Sequence, residues 1–224
     1  MKYLVLILLV ATVLSFSCSE SFVNGGYGGS EITNGKVIAF NGKPASGIDV
    51  TAYPLTYIPG KSDTLEKKTA VTDRKGNFTI DIDSGLYNLF IIDSLSGSGK
   101  LIRDVGPKTD LNTIYLDTLG SISGTLNFDR QWSNHYVVVY STGTPFLQSI
   151  LSQGNTSTFV FDGVPTGEYR LSIARLDGIA GCPPGKECNV RPGKNSNNQE
   201  IIRVESGKDA FSNILINVDS LDSF

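Results

Sequence analysis

The chain has 224 residues, and its 19 Lys and Arg against 22 Asp and Glu give a net charge of −3 at pH 7. Without a basic run or stripe, a nucleic-acid partner is disfavoured. A metal site is disfavoured, because Cys182 and Cys188 have no companion Cys and His135 is the only His in the sequence, and no cofactor is expected. The 24 Gly, with short runs rich in Thr, Val, Ile and Tyr, favour a turn-rich β protein.

Residues 1–17 are predicted to be a signal peptide. Lys2 precedes an apolar run, "YLVLILLVATVLSF", that is shorter than the roughly 20 residues needed to span a bilayer. Ser17 and Cys18 follow this run, and the sequence around them resembles the lipobox of bacterial lipoproteins. That resemblance implies cleavage before Cys18 and lipidation of its thiol, although Ser15 and Phe16 depart from the usual pattern. Ordinary signal cleavage, with Ser15 and Ser17 as the small residues, is the alternative.

Residues 18–30, "CSESFVNGGYGGS", are predicted to be a flexible Gly/Ser-rich tether. A chain of this composition and length has a root-mean-square reach of roughly 20 Å. We therefore expect a folded body held near a membrane by an N-terminal lipid. The expected location is the bacterial cell envelope, with the outer membrane as the anchoring bilayer.

The remaining sequence contains two copies of one unit, Ile32–Asp117 and Ile122–Asp219. Three segments align in the same order, and each alternates apolar and polar residues as a half-buried strand does. Turn signals such as Asn-Gly and Pro-Thr-Gly separate these segments. The aligned pairs include Gly35 with Gly124, Tyr53 with Tyr140, Phe78 with Phe159, Tyr87 with Tyr169, and Ile114 with Ile214.

This repeat predicts an all-β fold of two tandem antiparallel β-sandwiches. The first is expected over residues 31–118, and the second, divergent one over residues 119–224. Each copy is long enough to bury its own core.

The first copy contains "GKVIAFNGKPASGIDVTAYP" and, further on, "AVTDRKGNFTIDIDSGLYNLFI". In these two segments it resembles the carboxypeptidase regulatory-like domain. That family's pattern is G-x-V, G-x-P-x-x-G-V-x-V, T-D-x-x-G-x-F-x-I and G-x-Y-x-L. The resemblance implies a transthyretin-like (prealbumin-like) sandwich of about seven strands. The second copy retains only "FVFDGVPTGEYRLSI" and its flanking strands, and it lacks the proline loop and the T-D-x-x-G turn. The matching residues of the first copy are Gly35, Val37, Gly42, Pro44, Gly47, Val50, Thr72, Asp73, Gly76, Phe78, Ile80, Gly85, Tyr87 and Leu89.

Cys182 and Cys188 lie in "GCPPGKEC", within an insertion of the second copy. Export would place them in an oxidising compartment, and the Pro-Pro-Gly sequence favours a turn between them. We expect a disulfide, which would stabilise the fold by roughly 2–2.5 kcal/mol in the chain-entropy model. This pairing leaves Cys18 as the third cysteine, free for the lipid.

No catalytic motif accompanies His135, and the chain is therefore predicted not to be an enzyme. The sharper alternative is a glycan site, in which Trp132 stacks on a sugar ring beside Asn134 and Tyr136. The competing interpretation is that Trp132 packs against the junction of the two domains.

The function predicted from the sequence is that of a non-enzymatic cell-envelope lipoprotein. It would act as a structural, adhesive or protein-interaction module, with the membrane and envelope proteins or a polysaccharide as partners. The alternatives are a surface carbohydrate-binding protein that uses aromatic loops, and an accessory subunit of an envelope hydrolase.

Overall fold

The computed structural model describes residues 32–60, 67–176 and 200–221. These residues form thirteen β-strands and one short 3₁₀ helix, Val218–Ser220. Within the described part of the chain, no helix is long and apolar enough to cross a membrane. The strands are β1 Ile32–Ile38, β2 Asp49–Pro54, β3 Lys68–Val71, β4 Asn77–Asp81, β5 Tyr87–Asp93, β6 Ser98–Val105, β7 Asp110–Tyr115, β8 Asp117–Thr118, β9 Gly120–Ser141, β10 Leu147–Val164, β11 Gly167–Leu176, β12 Glu200–Val204 and β13 Asp209–Ile216.

The first eight strands form a sandwich of two sheets. One sheet has the strand order β4-β1-β7 and the other β3-β2-β5-β6-β8. Most pairs are antiparallel, but β1 and β7 run parallel. The inward side chains of both sheets, among them Val37, Val50, Phe78 and Leu89, form one apolar cluster.

The second sandwich repeats this pairing with fewer, longer strands. The first half of β9 pairs with the second half of β10 and, in parallel, with β13. The second half of β9 pairs with the first half of β10 and with β11, which in turn pairs with β12. Thus β9 supplies the equivalents of β1 and β2, and β10 those of β3 and β4. The predicted pair of β-sandwiches is confirmed, with one parallel strand pair in each.

The long strands cross between layers where their pairing shifts register. Trp132 lies opposite Gly154, but the next pair on the other side of the shift is Asn127 with Thr156. Extra residues on β9 therefore bulge, which bends the strand from one sheet into the other. In the first sandwich the proline loop and the T-D-x-x-G turn occupy these two crossings. Their absence from the second copy thus follows from its uninterrupted strands.

The T-D-x-x-G turn of the first copy is built from buried hydrogen bonds of Thr72 and exposed hydrogen bonds of Asp73. The Thr72 hydroxyl donates to the Ala45 carbonyl (2.6 Å) and accepts from the Ile48 N–H (2.9 Å), which fixes the turn to the proline loop. The Asp73 carboxylate accepts from the N–H groups of Lys75 and Asn77 (both 2.8 Å). These family-like residues therefore shape the fold and carry no chemistry of their own.

A glycine under a buried phenylalanine recurs in both copies. Gly35 pairs with Phe78 and Gly124 pairs with Phe159. A Cβ on Gly35 would lie 2.8 Å from the Phe78 ring, and one on Gly124 would overlap the Phe159 ring and lie 2.7 Å from the Ser212 carbonyl oxygen. The two glycines predicted to be equivalent thus have the same packing role.

Tyr53 and Tyr140, which the sequence repeat aligns as equivalent, differ by two residues in strand register. Tyr53 lies opposite Asn88, one residue after Tyr87, whereas Tyr140 lies opposite Ser172, three residues after Tyr169. The β-strand period is two, so both tyrosines still point away from their own sandwich core. Sequence similarity alone therefore located the strand and its face but not its register.

We expect Gly124→Ala to destabilise the protein, because the added methyl group cannot fit beneath Phe159 in a packed core. Overpacking of this kind costs about 1–3 kcal/mol, which urea denaturation would measure. Ser123→Ala, on the outward neighbour, is the matched control and should change stability by less than about 0.5 kcal/mol. Equal stability of Gly124→Ala and wild type would contradict the packing described here.

Candidate functional site

The two sandwiches meet at an apolar seam. Phe90 and Tyr53 project from the outer face of the first sandwich and belong to the apolar cluster that fills the second. Between them and the second core lies Phe146, whose ring centroid is 5.6 Å from that of Phe90, 5.5 Å from Phe161 and 5.7 Å from Tyr169. Aromatic pairs at such distances contribute about 0.5–1.5 kcal/mol each beyond their burial. The seam is therefore an extension of a hydrophobic core.

Hydrogen bonds join the sandwiches beside the rings. The Asp117 carboxylate accepts from Lys100 Nζ (2.7 Å) and from the Thr166 hydroxyl (2.9 Å). The Leu101 N–H donates to the Thr166 carbonyl (2.9 Å), which adds a backbone link between β6 and the turn before β11. Polar groups at this end of the seam thus satisfy one another.

A second set of hydrogen bonds lies at the β9–β10 turn. Asn88 Nδ2 donates to the Gly143 carbonyl (3.1 Å), while the Gly143 N–H donates to the Tyr57 carbonyl (2.7 Å). Asn88 is buried, and its amide oxygen accepts from the Asp104 N–H (3.4 Å). This asparagine therefore ties the first sandwich to the turn of the second.

Two tyrosines at the seam are kept uncharged by burial. Burial raises the pKa of Tyr169 well above its ordinary value, and its hydroxyl donates to the Pro165 carbonyl (2.7 Å). Burial, together with the neighbouring Tyr57, raises the pKa of Tyr53. Neither phenol can serve as a base near neutral pH, so both act as packing residues.

A small polar cavity of about 40 Å³ opens at the rim of the seam. Ser141 is 1% exposed, and its hydroxyl has no hydrogen-bond partner among the described residues. Both sandwiches contribute to the walls, which consist of Leu55, Asn88, Arg103, Ser141, Thr142, Thr144, Glu168 and Arg170.

The outer face of β10, β9 and β13 carries a patch of exposed apolar side chains. Phe211 (66% exposed) and Leu215 (80% exposed) lie on β13, and Val160 lies on β10. Strand register places Ser123 between Phe211 and Val160, in one row across the sheet. We call this surface the β13 face. It comprises three rows of uncharged residues, Phe211–Ser123–Val160, Asn213–Thr125–Thr158 and Leu215–Asn127–Thr156.

Trp132 does not form the exposed ring that the glycan interpretation requires. Its side chain is only 8% exposed, and its ring stacks on His135 at a centroid distance of 4.7 Å and contacts Phe128 edge-on at 5.2 Å. The stacking expectation for Trp132 is therefore corrected, because the bend in β9 turns this side chain into the second core. The competing interpretation places Trp132 against the junction of the two domains. Trp132 is buried in the cluster that also contains Tyr53 and Phe90, but its ring contacts with Phe128 and His135 lie within the second copy.

Asn134 and Tyr136 are exposed on the same strand. Asn134 has a φ of 64°, and it marks the bend that separates the buried Trp132 from the exposed Tyr136. The three side chains predicted to act together do not form one sugar-binding surface. A glycan site here would have to use Tyr136 without the tryptophan.

Cys18, Cys182 and Cys188 lie outside the described residues, as do the predicted signal peptide and the predicted tether. Lipidation and the disulfide therefore remain predictions. In the part of the chain that the structure describes, no group of three or more His, Cys, Asp or Glu side chains could hold a metal ion.

The seam residues were missed by sequence reasoning, although β5 carried a signal. Its sequence, "YNLFIID", is apolar on both faces, and Tyr87, Leu89, Phe90 and Ile91 are all buried. Strands buried on both faces show such continuous apolar runs. The run indicated that a second layer covers β5, but not that Phe146 forms it.

Comparisons with known proteins gave only weak similarities. No family model matches the chain, and no curated protein matches it. Among solved structures, a type II cohesin–X-dockerin complex from Acetivibrio cellulolyticus has a TM-score of 0.28 and 22% identity, covering 39% of this chain and 58% of that one. The Bacillus anthracis TIE protein has a TM-score of 0.28 and 12% identity, covering 84% and 33%.

A streptococcal ancillary pilin has a TM-score of 0.27 and 12% identity, covering 83% of this chain and 63% of the pilin. In all three cases the chain spans less than two thirds of the protein it matches. Similarity at these TM-scores carries no argument about what this chain does.

We expect the seam to weaken in acid through Asp117. Burial raises the pKa of this carboxyl, but hydrogen bonds from Lys100 and Thr166 and the charge of Lys100 outweigh it and lower the pKa below its ordinary value. A depressed carboxyl pKa stabilises the folded state above the unfolded pKa of about 3.9, and this contribution is lost as the pH falls through the folded pKa.

Asp117→Asn should therefore be less stable than wild type at pH 7, by about 1 kcal/mol or less because the ion pair is partly exposed. The difference should shrink as the pH falls below about 4, which denaturation at a series of pH values would measure. Asp83→Asn, in the exposed pair with Lys68, is the control outside the seam. A difference that stays constant from pH 7 to pH 3 would contradict the assigned role.

Proposed function

We propose that this protein is a non-enzymatic cell-envelope lipoprotein whose two sandwiches form one stiff structural and adhesive body. The observation that carries the proposal is the seam, where the buried ring of Phe90 packs against the partly buried ring of Phe146 and so joins the two sandwiches. A linker of one residue, Leu119, separates β8 from β9, and its N–H donates to the Gly97 carbonyl (2.9 Å). A short, bonded linker and a packed interface both oppose hinge motion.

In this proposal the first sandwich is a carboxypeptidase regulatory-like domain of the transthyretin-like type. Support comes from the roles of Thr72, Asp73 and Gly76, which build the turn that the sequence pattern marks. Gly76 has a φ of 80°, and a Cβ there would meet backbone atoms of the proline loop. Only glycine satisfies both conditions without strain.

The body would be held at the membrane by a lipid on Cys18, and the Cys182–Cys188 disulfide would close a loop of the second sandwich. Support for the anchor comes from the apolar run before Cys18 and the Gly-rich segment after it. Several acyl chains on one residue give stable anchoring, since each buried CH₂ contributes about 0.8 kcal/mol.

Cys18→Ala tests the anchor. We expect wild type expressed in a bacterial host to partition into the detergent phase, and Cys18→Ala to move to the aqueous phase or to remain uncleaved. Cys182→Ala is the control, because it removes a cysteine but leaves the lipid site. Unchanged partitioning of Cys18→Ala would refute the lipid anchor without affecting the proposed stiffness of the body.

The β13 face is the proposed adhesive surface. Its rows are uncharged, but Asp162 and Asp209 flank Ser121 at one end, so the face is apolar with an acidic border. Contiguous exposed apolar side chains are typical of interaction sites. The partner that fits is a protein surface with exposed apolar side chains bordered by Lys or Arg, since charge complementarity fixes orientation.

A photo-crosslinking amino acid at Thr125, at the centre of the β13 face, tests this surface in intact cells. We expect a discrete product that disappears in Phe211→Ser/Leu215→Ser and weakens when Asp162 and Asp209 are replaced by Lys. The control is Tyr115→Ser. Tyr115 is 65% exposed, and its position on β7 beside β1 is equivalent to the position of Leu215 on β13 beside β9. A product that survives the double variant, or the charge reversal, would contradict this surface.

A further inference from the structure

The Ser141 hydroxyl is the one described side-chain group that is buried without a hydrogen-bond partner. The backbone of this residue is fully used, since its N–H donates to the Phe146 carbonyl (3.0 Å) and its carbonyl accepts from the Thr144 hydroxyl (2.8 Å). Buried hydroxyls without a partner are costly and therefore rare in folded proteins. Since Ser141 lines the cavity at the rim of the seam, the missing partner has room there.

The charges around the cavity favour a neutral ligand. Arg103 and Arg170 contribute two positive charges to the walls, and Glu168 contributes one negative charge. The carboxylate of Asp104 lies 3.9 Å from the Arg103 guanidinium and supplies a second negative charge. With the charges balanced, a bound anion or cation would leave net charge at the rim, whereas a neutral donor and acceptor would not.

The volume of the cavity further restricts the size of the ligand that it can hold. Its volume of about 40 Å³ exceeds the roughly 10–15 Å³ that one water molecule requires, and it is far below that of a sugar ring. Hydroxyls of Ser141 and Thr142, guanidinium donors and a carboxylate acceptor surround this space. Ordered water in proteins occupies polar cavities with two to four such partners.

We propose that this cavity is a hydration site, holding one to three ordered water molecules that bridge the two sandwiches. One water accepts from or donates to the Ser141 hydroxyl and continues to groups of the first sandwich, among which Arg103 is a charged donor in the walls. The seam then has two parts, an aromatic part around Phe146 and a hydrated rim. The water satisfies the buried hydroxyl, which no group of the described residues reaches.

High-resolution crystal structures of the wild-type protein and of the Ser141→Ala variant test the proposal. We expect water within about 3 Å of Ser141 Oγ in wild type, and loss or displacement of that water in Ser141→Ala. Growth and soaking of the crystals in bromide would reveal an anion by its anomalous signal, and such a signal in the cavity would overturn the proposal. A wild-type crystal structure with no electron density in the cavity would also overturn the proposal.

Thermal denaturation gives a second readout. An unpartnered dry hydroxyl predicts a higher Tm for Ser141→Ala than for wild type, whereas a hydrated one predicts an equal or lower Tm. Ser152→Ala is the matched control, because Ser152 is 0% exposed and its hydroxyl both donates to and accepts from the His135 backbone. That variant should lower the Tm in either case. A clear rise in Tm for Ser141→Ala would contradict the hydration site.

Discussion

The arrangement of the two sandwiches depends on Phe146, whose ring lies among those of Phe90, Phe161 and Tyr169. Phe146 follows the β9–β10 turn, so one hairpin end carries the ring into the seam. Phe90 belongs to a strand whose other side chains form the first core. Burial of these rings therefore connects two cores, and separation of the sandwiches would expose them to water. Exposure of one such side chain costs about 1.5–3 kcal/mol.

The two copies show how one pairing scheme tolerates different connections. The first copy breaks each long strand with a turn fixed by Thr72 and Asp73, while the second bends its strands at a bulge near Trp132. Both retain the glycine beneath a phenylalanine and the parallel strand at the edge. The second copy also exposes Phe211 and Leu215. These two side chains belong to the proposed contact surface.

Much of the sandwich fold was predictable from the sequence, because alternation of apolar residues marks the half-buried strands directly. Phe78 and Phe159 are inward, as predicted, and Gly35 and Gly124 are equivalent. The seam was only partly predictable, since the apolar run of β5 indicates that a second layer covers Phe90 but not that Phe146 of the second copy forms that layer. Trp132 illustrates the same limit: its position on a strand was readable, but the bend that buries it arises from the register shift in pairing with β10, which the local pattern of β9 does not show.

Differential scanning calorimetry of the folded body tests most directly whether the seam joins both sandwiches into one unit. A stiff body predicts a single transition with equal calorimetric and van't Hoff enthalpies. It also predicts that Phe90→Ala, which costs about 3–5 kcal/mol for a buried phenylalanine, lowers the Tm and splits the transition in two. Phe40→Ala, at a 70% exposed position, should leave the single transition intact. Two independent transitions in wild type would contradict a seam that couples the sandwiches.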